Sequence, residues 1–255
     1  MDFHEAHLRT FIEQGFMIVP DFLDDDELEL VRTTCDREVE RVVQEMRDSG
    51  VSQQGISVLD RKYFISGARG RHPELDRVIF SKKTEALCRA TIGDTAYLHS
   101  EQFVAKMGDK ETSFAWHQDS GYSVHDGGAA PHEPCLTCWL ALDDMSQANG
   151  TISVLPFTRY APSREILEHY WSDDVHAMVG YSGDDLGDVV EVPAGTLVAF
   201  SSRLLHRSSA NTTTGVRRSY FVGFTPTLFL YQDESRGVYS PEATPVIEHG
   251  QVRWR

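Results

Sequence analysis

The sequence predicts a mainly β protein with flanking helices, in which a jelly roll forms the core. Three observations carry that reading. From Thr95 onward, short apolar runs alternate with turn signals about eight times, and runs of that length between Gly, Pro and polar clusters read as strands. Before Thr95, apolar residues recur at three- and four-residue steps, the stripe of helices lying on a sheet. A chain of 255 residues with 40% hydrophobic content buries a substantial core. Eight strands with long connections then fold as two sheets over one another, with a mouth for a small site.

Taken in order, His4–Gln14 reads as a short helix with Leu8, Phe11 and Ile12 on one face and Gly15 as its stop. Phe16–Val19 reads as a strand ended by Pro20. Asp24, Asp25 and Asp26 suit a helix N-terminus, where carboxylates satisfy free N–H groups. Leu28, Val31, Cys35, Val39, Val42 and Met46 mark one face of the helix that follows. Residues 47–71 read as a polar loop whose Tyr63, Phe64 and Ile65 either close over a substrate or pack beneath the loop. A further helix is expected from Pro73 to Ala90, with Leu75, Val78, Ile79 and Leu87 inward. The strand-like runs are Ala96–Leu98, Gln102–Met107, Phe114–Asp119, Leu136–Leu142, Thr151–Leu155, Val189–Val192, Thr196–Phe200 and Ser219–Phe224. Residues 120–134 and 156–188 read as insertions at the barrel mouth, where specificity resides. One domain is expected: 1–94 as a helical part packed on the barrel, 95–226 as its core and 227–255 as a tail.

Charge narrows the partners. With 24 basic against 39 acidic residues the formal charge is −15, which repels nucleic acid and anionic membrane surfaces. Met1–Glu5 carries no basic leader, and no run approaches the roughly 18 apolar residues of a membrane span. A cytoplasmic protein is expected. Cys35, Cys88, Cys135 and Cys138 are too scattered for a disulfide scaffold. Cys135 and Cys138 have C-x-x-C spacing, but residues i and i+3 of a strand face opposite ways, so packing is the reading preferred over zinc.

The chemistry concentrates at Trp116-His117-Gln118-Asp119. Residues i and i+2 of a strand share a face, so His117 and Asp119 can converge on one ion. His206, after the run Gly195–Phe200, is the candidate third ligand. Two imidazoles and one carboxylate on one octahedral face form the donor set of non-haem Fe(II) oxygenases, which leaves three cis positions open.

Trp116-His117-Gln118-Asp119-Ser120, Asn149-Gly150-Thr151-Ile152-Ser153-Val154-Leu155-Pro156 and the set His206, Ser208, Asn211 and Arg217 together resemble the phytanoyl-CoA dioxygenase family of Fe(II)/2-oxoglutarate oxygenases. The resemblance spans about Gly15 to Pro226. It implies a double-stranded β-helix that uses Fe(II), O2 and 2-oxoglutarate, which is decarboxylated to succinate while a substrate C–H bond is oxidised. It also implies that Arg217, eleven residues beyond His206, grips the far carboxylate of 2-oxoglutarate with Ser208, and that Lys106 and Trp139 line that pocket. Arg218 then faces the other way. Gln118 is expected to turn from the iron and bond nearby, toward the co-substrate, and Asn211 to shape a turn.

Gln102, Tyr122, His125, Phe64 and Trp171 are the candidate substrate contacts, with His132 as an alternative to His125 in the first insertion. The mouth segments hold Asp126, Glu133 and five aspartates between Trp171 and Asp188, with Arg159 and Arg164 as the basic exceptions. A small neutral or cationic metabolite is therefore expected in preference to a coenzyme A thioester. Hydroxylation is the expected outcome, with desaturation, epimerisation and ring formation as alternatives. Asp119 argues against halogenation, and the intact His117, Asp119, His206 and Arg217 set argues against a non-catalytic jelly-roll binder. The sequence leaves the oligomeric state open.

Overall fold

The computed structural model describes residue 3 and residues 5–109, 112–130, 132–175, 177–239 and 243–254. The first helix was expected from His4, which lies outside the described residues; helix α1 spans Glu5–Gln14. Gly15 follows at φ +88°, where an added Cβ would sit 2.8 Å from the Phe157 ring, so glycine alone makes this turn without strain. Strand β1 (Phe16–Val19) leads to helix α2 (Asp25–Ser49). A capping box starts α2: Glu27 N–H donates to Asp24 Oδ1 (2.9 Å), and Asp24 N–H donates to Glu27 Oε2 (3.0 Å). Val31, Cys35, Val39, Val42 and Met46 are buried, as the stripe predicts.

Within residues 47–71, where a loop was expected, helix α2 runs on to Ser49, three strands lie between Gln53 and Ser66, and a short helix follows. β2 (Gln53–Gln54), β3 (Ser57–Val58) and β4 (Lys62–Ser66) form a meander, and β4 joins the main sheet. Tyr63 and Ile65 face its core side, the fit of aromatic and β-branched residues to a pleated surface. The helix expected over Pro73–Ala90 is broken. After α3 (Ala68–Arg71), α4 (Asp76–Ile79) ends before Ser81, whose hydroxyl accepts from Thr84 N–H and caps α5 (Lys82–Thr91).

The remaining strands are β5 (Ala96–Lys106), β6 (Phe114–His117), β7 (Leu136–Ala141), β8 (Ile152–Leu155), β9 (Tyr170–Ser172), β10 (Ala177–Val179), β11 (Asp188–Val189), β12 (Leu197–Ser201), β13 (Leu205–Ser208), β14 (Arg217–Thr225), β15 (Thr244–Glu248) and β16 (Gln251–Val252). The larger sheet runs β1-β12-β7-β14-β5-β4-β3-β2, and β15 adds to β5. The smaller sheet runs β11-β8-β13-β6. Together they make the double-stranded β-helix. Strand β7 shows the layering. Leu136, Cys138 and Leu140 pack with Val31, Cys35 and Leu87 of the helices, while Trp139 and Ala141 pack with Val198, Phe200, Ile152 and Val154 between the sheets. Alternation therefore buries both faces.

Three further expectations change. The first mouth insertion opens with helix α6 (Asp119–His125), and the second contains β9 and β10. The tail supplies β15 and β16. All four cysteines are buried and free, and burial pushes the Cys135 thiol up to about 11. No helix among the described residues is long and apolar enough to cross a membrane.

Candidate active site

Strands β6 and β13 lie side by side, and their register sets His117 opposite His206. The ring centroids are 4.2 Å apart. Strand β6 ends at His117, so Asp119 opens α6 where a strand position was expected. Gln118 keeps extended angles (φ −111°, ψ 141°), so Asp119 still projects to the side of His117. Asp119 Oδ1 is 3.6 Å from His206 Nε2, and one donor atom of each of the three residues lies within 4.8 Å of the others.

Each donor is oriented by the chain around it. His117 Nδ1 donates to Ala115 O (2.8 Å) and His206 Nδ1 to Leu204 O (3.1 Å), which leaves both Nε2 lone pairs free. Burial pushes His117 down to about 3 and His206 to about 4, so both rings are neutral at pH 7. Thr137 Oγ1 donates to Asp119 Oδ2 (2.6 Å) and holds that carboxylate, whose pKa burial raises. Two neutral imidazole nitrogens and a carboxylate oxygen, each held from behind, fit a divalent iron.

A second cluster lies on the larger sheet. Arg217 opens β14 and pairs with Lys106 at the end of β5, which pairs in turn with Lys62 of β4. Arg217 is 1% exposed. Its Nη1 donates to Ser219 Oγ (3.0 Å) and Nη2 to Gly150 O (2.9 Å), while the buried Nε has no partner. Gly150 carries no Cβ because one would meet Ser209 O at 2.4 Å; its backbone can therefore approach and accept from Arg217. Lys106 is fully buried, and its Nζ donates to Ser208 Oγ (2.8 Å) and Ser209 O (2.7 Å). Burial pushes Lys106 well below its ordinary range and Arg217 down to about 10. A buried guanidinium beside a buried amine, both with neutral partners, fits the carboxylate of an acidic co-substrate.

One cavity of about 600 Å³ joins the two clusters, with His117, Asp119, His206, Ser208, Arg217 and Trp139 on its wall. Phe64, Gln102 and Tyr122 line it, and Lys106 reaches it through Ser208. Asn211 holds a turn, its Nδ2 donating to Lys106 O and Gly215 O.

Three candidates fall elsewhere. Gln118 is buried with its amide turned away: Nε2 donates to Ser163 O (3.0 Å), Glu165 O (2.9 Å) and Arg203 O (2.5 Å), and Oε1 accepts from Leu167 N–H (2.8 Å). Both amide hydrogens are thus committed to backbone carbonyls, and neither is left for a co-substrate carboxylate. His125 is exposed on α6 and lies off the cavity wall. Trp171 is 42% exposed and lines a separate cleft with Arg61 and Lys62.

Several wall residues escaped the sequence reading. Thr137 shares the inner face of β7 with Trp139, an i, i+2 signal that was there to use. His99, Tyr231 and Tyr239 join His132 at the opposite end from Arg217. Residues 229–239 carry no periodic signal, yet they dock by backbone pairing: Ala129 N–H donates to Leu230 O (2.9 Å) and Gln232 N–H to Gly127 O (2.8 Å).

A double-stranded β-helix with a His-Asp-His cluster facing a buried arginine defines a mononuclear iron oxygenase. The comparisons agree. The family model for phytanoyl-CoA dioxygenase (PhyH) matches residues 11–219. L-proline trans-4-hydroxylase of Streptomyces griseoviridis is 26% identical over 217 residues, covering 78% of this chain and 77% of that protein. Among solved structures, the non-heme alpha-ketoglutarate-dependent carbocyclase SnoK from nogalamycin biosynthesis matches with TM-score 0.66 and 21% identity, covering 96% and 94% of the two chains. EctD from S. alaskensis with 2-oxoglutarate and 5-hydroxyectoine matches with TM-score 0.70 and 15% identity, covering 98% and 87%. The chain belongs to the phytanoyl-CoA dioxygenase family, and it is an Fe(II)-dependent dioxygenase that uses 2-oxoglutarate and O2.

Proposed function

We propose that the enzyme hydroxylates a C–H bond of a small neutral or cationic metabolite in free form. His117 Nε2, His206 Nε2 and a carboxylate oxygen of Asp119 hold the iron. Arg217 and Ser208 bind the far carboxylate of 2-oxoglutarate, Lys106 donates to Ser208 from behind, and Trp139 forms the wall between. Bound iron supplies the oxidative decarboxylation of 2-oxoglutarate and the oxidant for the substrate. The protein's part is orientation and exclusion of water. Thr137 and the two backbone carbonyls fix the ligands, and the buried Arg217 and Lys106 pair fixes which end of the co-substrate points away from the metal.

The observation that carries this reading is the one cavity running from Arg217, whose buried Nε has no partner, past the triad to a wall of aromatic rings. At that far end Tyr122, Tyr231, Tyr239, His99 and His132 surround the substrate, and Asp126 is the acidic group beside them. Among the described residues one exposed cation reaches that end, Arg236, stacked on the Tyr231 ring (3.6 Å to its centroid), and the other arginines near the mouth are engaged elsewhere. Arg159 is paired with Asp185 and Asp188. Arg164 donates to Ile12 O and Glu13 O and stacks on Phe157. Arg207 lies over Trp116 and donates to Leu186 O. These engagements support a free metabolite over a coenzyme A thioester.

The test is anaerobic reconstitution with Fe(II) and 2-oxoglutarate, then oxygen and two substrate panels, one of acyl-CoA thioesters and one of free ring-bearing amines and neutral scaffolds. Substrate-stimulated succinate with a product heavier by one oxygen is expected from the second panel. Selective turnover of the thioesters refutes the substrate class, and a product lighter by two hydrogens refutes hydroxylation.

A further inference from the structure

The peptide between two metal ligands is held by a histidine that the mechanism above does not use. His169 lies in the second mouth insertion, 51 residues beyond Gln118. Its Nε2 accepts a hydrogen bond from Gln118 N–H (2.9 Å), and its Nδ1 donates to Leu167 O (2.8 Å). A carbonyl can only accept, so the second contact fixes the tautomer and makes Nε2 the acceptor. The ring is also boxed in. A Cβ on Gly121, in α6, would come 2.3 Å from His169 Cε1, and a Cβ on Gly180 would come 2.3 Å from His169 Nε2. Gly180 is itself tied to strand β6, its N–H donating to Trp116 O (2.8 Å).

Gln118 grips the same insertion from the other side. Its side chain bonds to Ser163, Glu165, Leu167 and Arg203. His117 and Asp119 therefore flank a residue whose backbone N–H and most of whose amide contacts go to the segment 163–169, with Arg203 O the remaining acceptor.

We propose that His169 is a positioning residue: seated between Gly121 and Gly180, it fixes the Gln118 peptide and thereby the angle between the His117 and Asp119 donors, so that the second insertion sets metal affinity. This rests on the iron reading of the triad. The geometry has a physical reason. Strand β6 ends at His117 and α6 begins at Asp119, so neither sheet ladder nor helix bond holds the Gln118 N–H, and an acceptor from elsewhere has to hold it. Partners that orient metal ligands from behind typically change metal affinity about 10–100-fold when removed.

The experiment titrates Co(II), as an air-stable probe, and Fe(II), under anaerobic conditions, into wild type, His117→Ala, His169→Phe and His169→Gln. Thermal unfolding of each metal-free protein is measured in parallel. Phe fills the slot but cannot accept, whereas the Gln oxygen can take the place of Nε2. Expected is a loss of about 10–100-fold in metal affinity for His169→Phe, a largely restored affinity for His169→Gln, and metal-free unfolding midpoints that do not follow that order. A packing role alone predicts the reverse: affinity unchanged in His169→Phe, or Phe and Gln weakened equally in step with lost stability. Either result overturns the inference. If wild type binds no more metal than His117→Ala, the iron reading fails and the inference falls with it. Should His169→Phe not fold, His169→Gln compared with His169→Leu decides: equal affinity of that pair overturns the proposal.

Discussion

Replacing Arg217 by methionine should separate co-substrate binding from stability. The guanidinium is 1% exposed and pairs through its described neighbours with neutral groups, Ser219 Oγ and Gly150 O. Its neighbour in register is the fully buried Lys106, whose proximity disfavours a second charge. Methionine keeps much of the volume and removes the charge. Two charge-assisted hydrogen bonds to a carboxylate, at about 1.5 kcal/mol each, amount to about 3 kcal/mol, or about 150-fold in 2-oxoglutarate affinity. The metal-free protein should lose little, because release of a desolvated charge offsets the donor lost to Gly150 O. Arg218 provides the contrast. It donates to Asp143 Oδ1 (2.7 Å) and Asp36 Oδ2 (2.7 Å), tying β14 to α2 on the outer face. Arg218→Ala should cost about 1–2 kcal/mol of stability, a drop of about 2–8 °C in unfolding midpoint, with 2-oxoglutarate affinity kept. The assay pairs anaerobic 2-oxoglutarate titration of the Fe(II) protein with thermal unfolding of the apo protein. Wild-type affinity in Arg217→Met, or a larger affinity loss in Arg218→Ala, would show that the inner arginine has been misassigned.

His117→Ala and Asp119→Ala should each abolish iron-dependent succinate formation while the proteins remain folded, as circular dichroism and succinate release will tell; wild-type turnover in either variant sinks the triad. Acid should destabilise the metal-free protein in a defined window. Burial depresses His99 to about 4, His117 to about 3 and His206 to about 4, so their stabilisation is present above the unfolded value near 6.5 and is lost as pH falls toward 4. His132 and His169, also lowered by burial, act in the same direction, the raised Asp119 opposes them in part, and an unfolding midpoint that is flat or rises from pH 7 to 4.5 contradicts this balance. At the far end of the cavity, Tyr231→Ala and Tyr239→Ala should raise the KM for the substrate identified by succinate release and leave the KM for 2-oxoglutarate unchanged; a shift in the co-substrate KM alone would argue against a substrate role for that wall.

What could be read in the sequence was whatever depends on neighbours in the chain. The α2 stripe and cap are local patterns, and both are present in the structure. The His117 and Asp119 pair does not lie within one strand. The strand stops between them, yet the two side chains converge because one extended residue suffices for i, i+2 geometry. Arg217 and Arg218 divide between inner and outer faces by the same alternation. Lys62 was hidden in a five-residue strand too short to tell from a loop by periodicity.

The remainder depends on contacts between segments far apart in sequence. Gln118 sits inside the motif, so its neighbours suggested a co-substrate contact. Its real partners lie 45 to 85 residues away in the second insertion and beside β13, and no local pattern encodes which acceptors an amide will find. His125 and His132 illustrate the converse. Both lie in the first insertion, but α6 turns His125 outward to solvent, while the chain beyond it carries His132 against Phe229 (ring centroids 4.2 Å apart) and onto the cavity wall. That contact exists because the tail folds back and pairs with the insertion, Gly128 against Tyr231, where a Cβ on Gly128 would meet the Phe229 ring at 2.6 Å. The metal end of the cavity is thus built from strand alternation and can be read locally. The opposite end is built by two loops and a tail that define one another, so its residues become visible only when those segments are seen together.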